Sequence, residues 1–286
     1  MNPRMLLRLC SFTYFDLPQF YARRLEAGQR VALGEVARAL RRMDELGALQ
    51  CGAYRETAGE TFAALEDAPL DILAYENDNA RTGFVAYAFG GARGEVVVCV
   101  RGSETRGLCA PSNIDWRDNF CAPLTGSVQT QAALAFADRY ARGSLLLCGH
   151  SKGGNIAMLA QCGAANPLAR AVAFNAQGFA CGQVSGAQKA RLRAGAVNYV
   201  VESDLIGALL CHPEARFFVR KNPEANAHDP AAFAFDPQGW PVRGRRTLLS
   251  VAVQALSCVL AFLNRNDEAG LLRSILRCGA PLVART

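Results

Sequence analysis

The stretch that most constrains this chain is residues 145–161, LLLCGHSKGGNIAMLAQ. Leu145 to Cys148 suit a buried strand, and a segment of small and apolar residues suited to a helix follows. Between them Ser151 stands two residues after Gly149 and two before Gly153, giving G-x-S-x-G in strand–turn–helix order. A serine held in so tight a turn needs neighbours without side chains, because the backbones pass close to one another. Such a turn lifts the hydroxyl out at the sheet edge, above the helix N-terminus. Backbone N–H groups there, led by that of Lys152, can receive a developing negative charge that the helix dipole also favours.

The rest of the chain supplies a sheet for that turn. Strand patterns lie at 83–89, 95–101, 145–148, 170–176, 197–201 and 215–221, and helical patterns at 19–49, 127–143, 152–165, 185–195, 247–263 and 267–277. Apolar strands alternating with helices predict an α/β fold, a mostly parallel sheet with helices on both faces. The expected organisation is one domain over residues 1–286, with an N-terminal helical segment (1–50) and C-terminal helices (245–286) packed on its core. In such sheets the working residues gather at the carboxyl ends of the strands, where Ser151 falls.

Charge and cysteine usage narrow the classes. The 31 basic and 25 acidic residues leave a formal charge of +6, and the only lysines are Lys152, Lys189 and Lys221. The densest arginines (Arg23, Arg24, Arg30, Arg38, Arg41, Arg42) read first as solvated helix faces and second as a contact for an anionic membrane surface. No motif supports nucleic-acid binding. Eleven cysteines without a C-x-x-C pair argue against a disulfide framework or zinc site and predict a reducing, cytoplasmic setting. The longest apolar stretch, 247–263, is interrupted by Ser250, Gln254 and Ser257 and falls short of the roughly 20 residues a spanning helix needs. It reads as a core helix with a small-residue stripe, or alternatively as a wall for an acyl chain.

A nucleophilic serine needs a base and an acid. His150 adjoins Ser151 and points away from it, so it reads as packing or hydrogen bonding beside the turn. His212 and His228 both follow the serine, as hydrolase chain order requires. His228 is preferred because its loop follows strand 215–221 and should return over the catalytic edge. Past strand 197–201 stand Glu202 and Asp204; the shorter side chain, deeper in the loop, is the preferred acid.

The segments GHSKGGNIA, VRGSET, SDLIGALL, AHDP and SFTYFDLPQF resemble the class 3 lipase-like branch of α/β-hydrolases over residues of about 10 to 235. More closely they resemble a bacterial group sharing the G-H-S-K-G-G elbow. The resemblance implies an α/β-hydrolase fold, with Ser151 as nucleophile, Asp204 as acid and His228 as base. It implies a second oxyanion donor at Ser103, beside that of Lys152, and a loop-building role for Asp115, Trp116 and Asp118. The activity implied is hydrolysis of carboxylic esters, with no metal or organic cofactor; lipid or medium-chain acyl groups are expected where 247–263 forms a wall for the acyl chain. Lys152 replaces the apolar residue usual in triglyceride lipases; its side chain reads as solvated, and a lure for substrate phosphate or carboxylate is the second reading. The insertion 106–126 is short for a long amphipathic lid, though long enough to cover the site. A different class of function is a hydrolase-fold binding or membrane-surface protein without catalysis, against which the complete serine–aspartate–histidine set argues.

Overall fold

A computed structural model describes residues 1–104 and 127–263. Among these residues eight strands form one sheet in chain order: β1 Val31–Ala32, β2 Leu70–Asp78, β3 Phe84–Gly91, β4 Val96–Val100, β5 Leu145–His150, β6 Arg170–Phe174, β7 Ala196–Val201 and β8 Ala215–Val219. The pairs from β1 to β4 are antiparallel and those from β4 to β8 parallel. The switch follows from the connections. Gly94, at φ 81°, lets β3 turn directly into β4, whereas parallel neighbours need a crossover, which helices supply from β4 to β7 and a helix-free loop, 202–214, supplies from β7 to β8.

The described helices are α1 Pro3–Phe12, α2 Gln19–Glu26, α3 Leu33–Glu45, α4 Ala58–Leu65, the short α5 Asn79–Thr82, α6 Val128–Asp138, α7 Lys152–Gly163, α8 Gly186–Gly195 and α9 Leu248–Leu263. Strand alternation divides the sheet into two faces. Tyr87, Phe89, Cys99, Cys148 and Phe174 meet Leu9, Phe12, Val36, Leu40 and Phe62 of α1, α3 and α4. Phe84, Ala86, Val98 and Leu147 point the other way, onto Ala133 and Phe136 of α6 and Ile156, Ala157 and Ala160 of α7. Each large side chain buried in this way contributes about 1.5–3 kcal/mol. The mostly parallel α/β-hydrolase sheet with helices on both faces is therefore present.

Several expectations change. The helix expected over 19–49 is two helices, because Gly28, at φ 76°, ends α2 and Val31 then pairs with Ile72 of β2. β2 has no counterpart among the expected strands, and α1 lies within the expected N-terminal helical segment. β2 is half-buried and mixes Asp71, Glu76 and Asp78 with Leu70 and Ile72, which blurs its strand pattern. α1 is no appendage: Leu9, Cys10 and Phe12 are fully buried. α9 keeps the expected stripe, Ser250, Gln254 and Ser257, toward the protein but leaves most of its apolar side chains exposed, so it is not a core helix. The helix expected at 267–277, and Asp115, Trp116 and Asp118, lie outside the described residues.

Candidate active site

Ser151 sits between β5 and α7 at φ 56°, ψ −129°, a backbone conformation costly for a residue with a side chain. The neighbouring glycines explain how the turn closes. A Cβ on Gly149 would lie 2.2 Å from the Gly153 carbonyl carbon, and one on Gly153 would lie 2.2 Å from the Val100 oxygen. Strand end, helix start and β4 are in backbone contact. The Ser151 N–H donates to the Phe174 carbonyl at 2.9 Å, and its own carbonyl accepts from Gly154 and Asn155. The turn is thus fastened on both sides.

Two loops bring the partners. The first follows β7, and there Asp204, 2% exposed, accepts the Gly207 N–H at 2.8 Å and the Ile206 N–H at 3.3 Å. The second follows β8 and presents His228. Its Nδ1 lies 3.0 Å from Asp204 Oδ1, and its Nε2 lies 2.9 Å from Ser151 Oγ. A carboxylate only accepts, so Nδ1 carries the proton and Nε2 is left to accept from the serine hydroxyl. The arrangement can shift a proton from hydroxyl to imidazole beside a helix N-terminus.

Two further side chains hold the histidine loop: His150, which forms the hydrogen bond beside the turn that the sequence suggested, and Asn175, which sequence reasoning missed. His150 Nε2 donates to the His228 carbonyl at 2.9 Å. Asn175, just after β6 at φ 48°, donates through Nδ2 to the Ala227 carbonyl at 3.0 Å and accepts the Val201 N–H at 2.9 Å. Both partners are backbone groups, which leave no mark in a sequence; an asparagine following a strand, tolerant of left-handed backbone, was the one available signal. His150 is fully buried, and burial, reinforced by nearby His228, holds its pKa well below the usual value. Tyr54 packs edge-on against the His150 ring, 5.7 Å between centroids. Burial first, then Asp229 and Asp204, pushes its phenol pKa up. Asp229 is itself raised by burial and by Glu56.

The remaining candidates separate cleanly. Glu202 accepts the Lys221 N–H at 3.3 Å and the Arg245 N–H at 3.1 Å, tying the β7 and β8 loops together instead of meeting a histidine. His212 is engaged elsewhere: its Nδ1 lies 2.7 Å from Glu214 Oε1, and its Nε2 donates to the Leu209 carbonyl at 2.9 Å. Lys152 is 3% exposed and not solvated, because its helix begins tucked against the ends of β4 and β5. Its N–H opens α7 directly after Ser151. Ser103 follows β4 through Gly102, where a Cβ would stand 3.5 Å from the Ser151 Cβ, so that segment runs beside the turn. Just before it, buried Arg101 pairs with Glu104 at 2.7 Å and with Asn79 at 2.5 Å.

Among the described residues Cys10, Cys99 and Cys148 bring three sulfurs within 4.8 Å of one another, between α1 and the sheet. Burial pushes the Cys10 and Cys99 thiols well above their ordinary value. They pack as small hydrophobes behind the turn.

The Mbeg1-like family matches the chain over residues 70–258. No curated protein matches it. Solved structures similar to it include a mutant form of MDLA from Penicillium cyclopium, at 14% identity and TM-score 0.43, covering 84% of this chain and 96% of that one. A fungal lipase is similar at 13% identity and TM-score 0.44, over 80% of this chain and 88% of that one. The mono- and diacylglycerol lipase from Aspergillus oryzae is similar at 15% identity and TM-score 0.39, over 68% and 81% respectively.

Proposed function

The chain belongs to the Mbeg1-like family and has a lipase-like α/β-hydrolase fold, and from that premise we propose that it is a serine hydrolase of carboxylic esters. The observation that carries the proposal is the unbroken run from Ser151 Oγ through His228 to Asp204, with contacts of 2.9 and 3.0 Å. In the proposed reaction Ser151 Oγ bonds to the ester carbonyl carbon while His228 Nε2 takes its proton. Asp204 keeps the imidazole in the right tautomer and stabilises it when charged. The Lys152 N–H and the Ser103 backbone, with its hydroxyl, receive the oxyanion; each such donor is worth about 10²–10³ in turnover. The carbon–oxygen bond to the alcohol then breaks, and His228 returns the proton to the leaving oxygen. Water, deprotonated by His228, attacks the acyl-enzyme and releases the acid and free Ser151. His150 and Asn175 act as positioning residues, holding the backbone on which His228 stands.

The proposed substrates are carboxylic esters with lipid or medium-chain acyl groups. A series of 4-nitrophenyl esters from acetyl to dodecanoyl tests both parts. Turnover that rises beyond the acetyl ester and falls by about 10³ or more in Ser151→Ala is expected. Absence of turnover with every ester would overturn the proposal, and a preference for acetyl would overturn the substrate class.

A further inference from the structure

α9 is inverted relative to an ordinary surface helix. Between Leu248 and Leu263 it has no charged residue, and the side chains it turns toward the protein are its polar ones together with the small Ala261, which packs on Ala180 and Leu210. Ser257 Oγ accepts the Leu210 N–H at 2.9 Å, and Gln254 Nε2 donates to the Leu210 carbonyl at 2.7 Å. Arg216 and Arg246 both donate to Gln254 Oε1. The outward face includes Leu248, Leu249, Val251, Leu256, Val259 and Leu263, each 44–88% exposed. A helix facing water normally packs its apolar stripe inward and shows its polar face. A contiguous exposed patch of this kind marks an interaction surface.

The chemistry of the face selects its partner. Its hydrogen-bonding side chains are already satisfied inward, so it offers hydrocarbon and little polar pairing. Arg243, Arg245 and Arg246 immediately precede it; Arg246 is engaged with Ser250 and Gln254, which leaves Arg243 and Arg245 as flanking cations. We propose that α9 is a lipid-docking face, lying in the surface of an anionic bilayer with Arg243 and Arg245 against headgroup phosphates. Its 16 residues extend about 24 Å, and no helix among the described residues is long and apolar enough to cross a membrane. The arginines of α3, offered by the sequence for the same purpose, are partly committed within the protein: Arg41 pairs with Glu66 and Arg38 donates to the Glu66 carbonyl. Leu210 belongs to the loop that carries Asp204, so the docking face is hydrogen-bonded directly to that loop. The inference deepens the hydrolase reading, on which its link to a lipid ester rests, but docking itself needs no catalysis.

Co-sedimentation of the full chain with vesicles tests it, using phosphatidylglycerol and phosphatidylcholine in equal parts beside phosphatidylcholine alone. The wild type should bind the mixed vesicles, and Ser151→Ala should bind them equally. Leu249→Gln with Leu256→Gln and Val259→Gln should weaken binding at least about tenfold, with an unchanged thermal midpoint as the check on folding. Arg243→Gln with Arg245→Gln should weaken binding to mixed vesicles about tenfold, and added salt should do the same to the wild type. A wild type that binds neither vesicle, or a triple variant that binds as well as the wild type, would overturn the proposal. So would a dimer that the triple variant dissolves while vesicles bind nothing, which would give the face to a second copy. Vesicle binding without turnover of any ester would overturn the hydrolase reading and leave the docking face standing.

Discussion

His150 donates its Nε2–H to the backbone carbonyl of His228, 2.9 Å away, so the residue beside Ser151 fixes the loop that brings the imidazole to it. His150 is wholly buried, and among the described residues its Nδ1 meets no hydrogen-bond partner. A neutral ring with the proton on Nε2 satisfies both facts. His150→Ala should therefore lower kcat by up to about 10²-fold through misplacement of His228, while KM moves little. Steady-state kinetics on a soluble ester, with His150→Gln partly restoring kcat, would separate positioning from general damage.

The same residue predicts a pH effect on stability. Burial, followed by nearby His228, depresses the His150 pKa in the folded protein, whereas the unfolded chain titrates near the usual value of about 6.5. Below that pH the unfolded chain binds a proton that the folded one refuses, so stability is fully present above about 6.5 and falls as pH falls toward 5. His150→Gln keeps an N–H donor and does not titrate; its thermal midpoint should depend less steeply on pH across this window. Asp229, whose carboxyl burial raises, is common to both proteins and cancels in the comparison. Identical slopes would contradict the account.

The two acidic residues after β7 should behave differently. Asp204→Asn leaves the shape but lets the imidazole adopt the wrong tautomer, which costs about 10⁴ in kcat in a serine–histidine–aspartate site. Glu202 caps two backbone N–H groups away from the histidine. Glu202→Gln should keep kcat within a few-fold and cost about 1 kcal/mol or less in stability. Equal losses in the two variants would show that the acid is wrongly assigned.

His212 and Glu214 form a contact whose side chains are both shielded from solvent. His212→Ala should destabilise the protein by about 3 kcal/mol, since it leaves the buried Glu214 carboxyl with only the longer bond from Asn198. Folded His212→Ala should retain labelling and turnover, measured below its melting range, because His228 and not His212 meets Ser151.

Gly153→Ala would place a methyl 2.2 Å from the Val100 oxygen, a rigid backbone atom. A loss of about 3 kcal/mol or more is expected, measured by denaturant unfolding.

Much of this was readable in the residues. G-x-S-x-G marks a chemical requirement on backbone packing, and Ser151, Asp204 and His228 follow one another in the order the fold demands, so their convergence could be anticipated. His150 was readable as hydrogen bonding beside the turn, but neither its partner nor Asn175 was, because the partners are main-chain carbonyls that any residue would present. For α9 the periodicity announced two faces. It could not say that Leu210 would offer a free N–H and carbonyl, which draw Ser257 and Gln254 inward and turn the leucines out. β2 was hidden for a related reason: its acidic residues are affordable only where a strand is half-covered, and coverage is a property of the assembled sheet.

Covalent labelling by a fluorophosphonate tests the central claim most directly, because the reagent bonds fastest to a hydroxyl activated by a base. Wild-type protein should gain one phosphonyl group, located by peptide mass spectrometry on Ser151. Labelling should vanish in Ser151→Ala and fall at least about 10²-fold in rate in His228→Ala. A wild type that resists the reagent, or a Ser151→Ala variant labelled as fast as the wild type, would contradict the account.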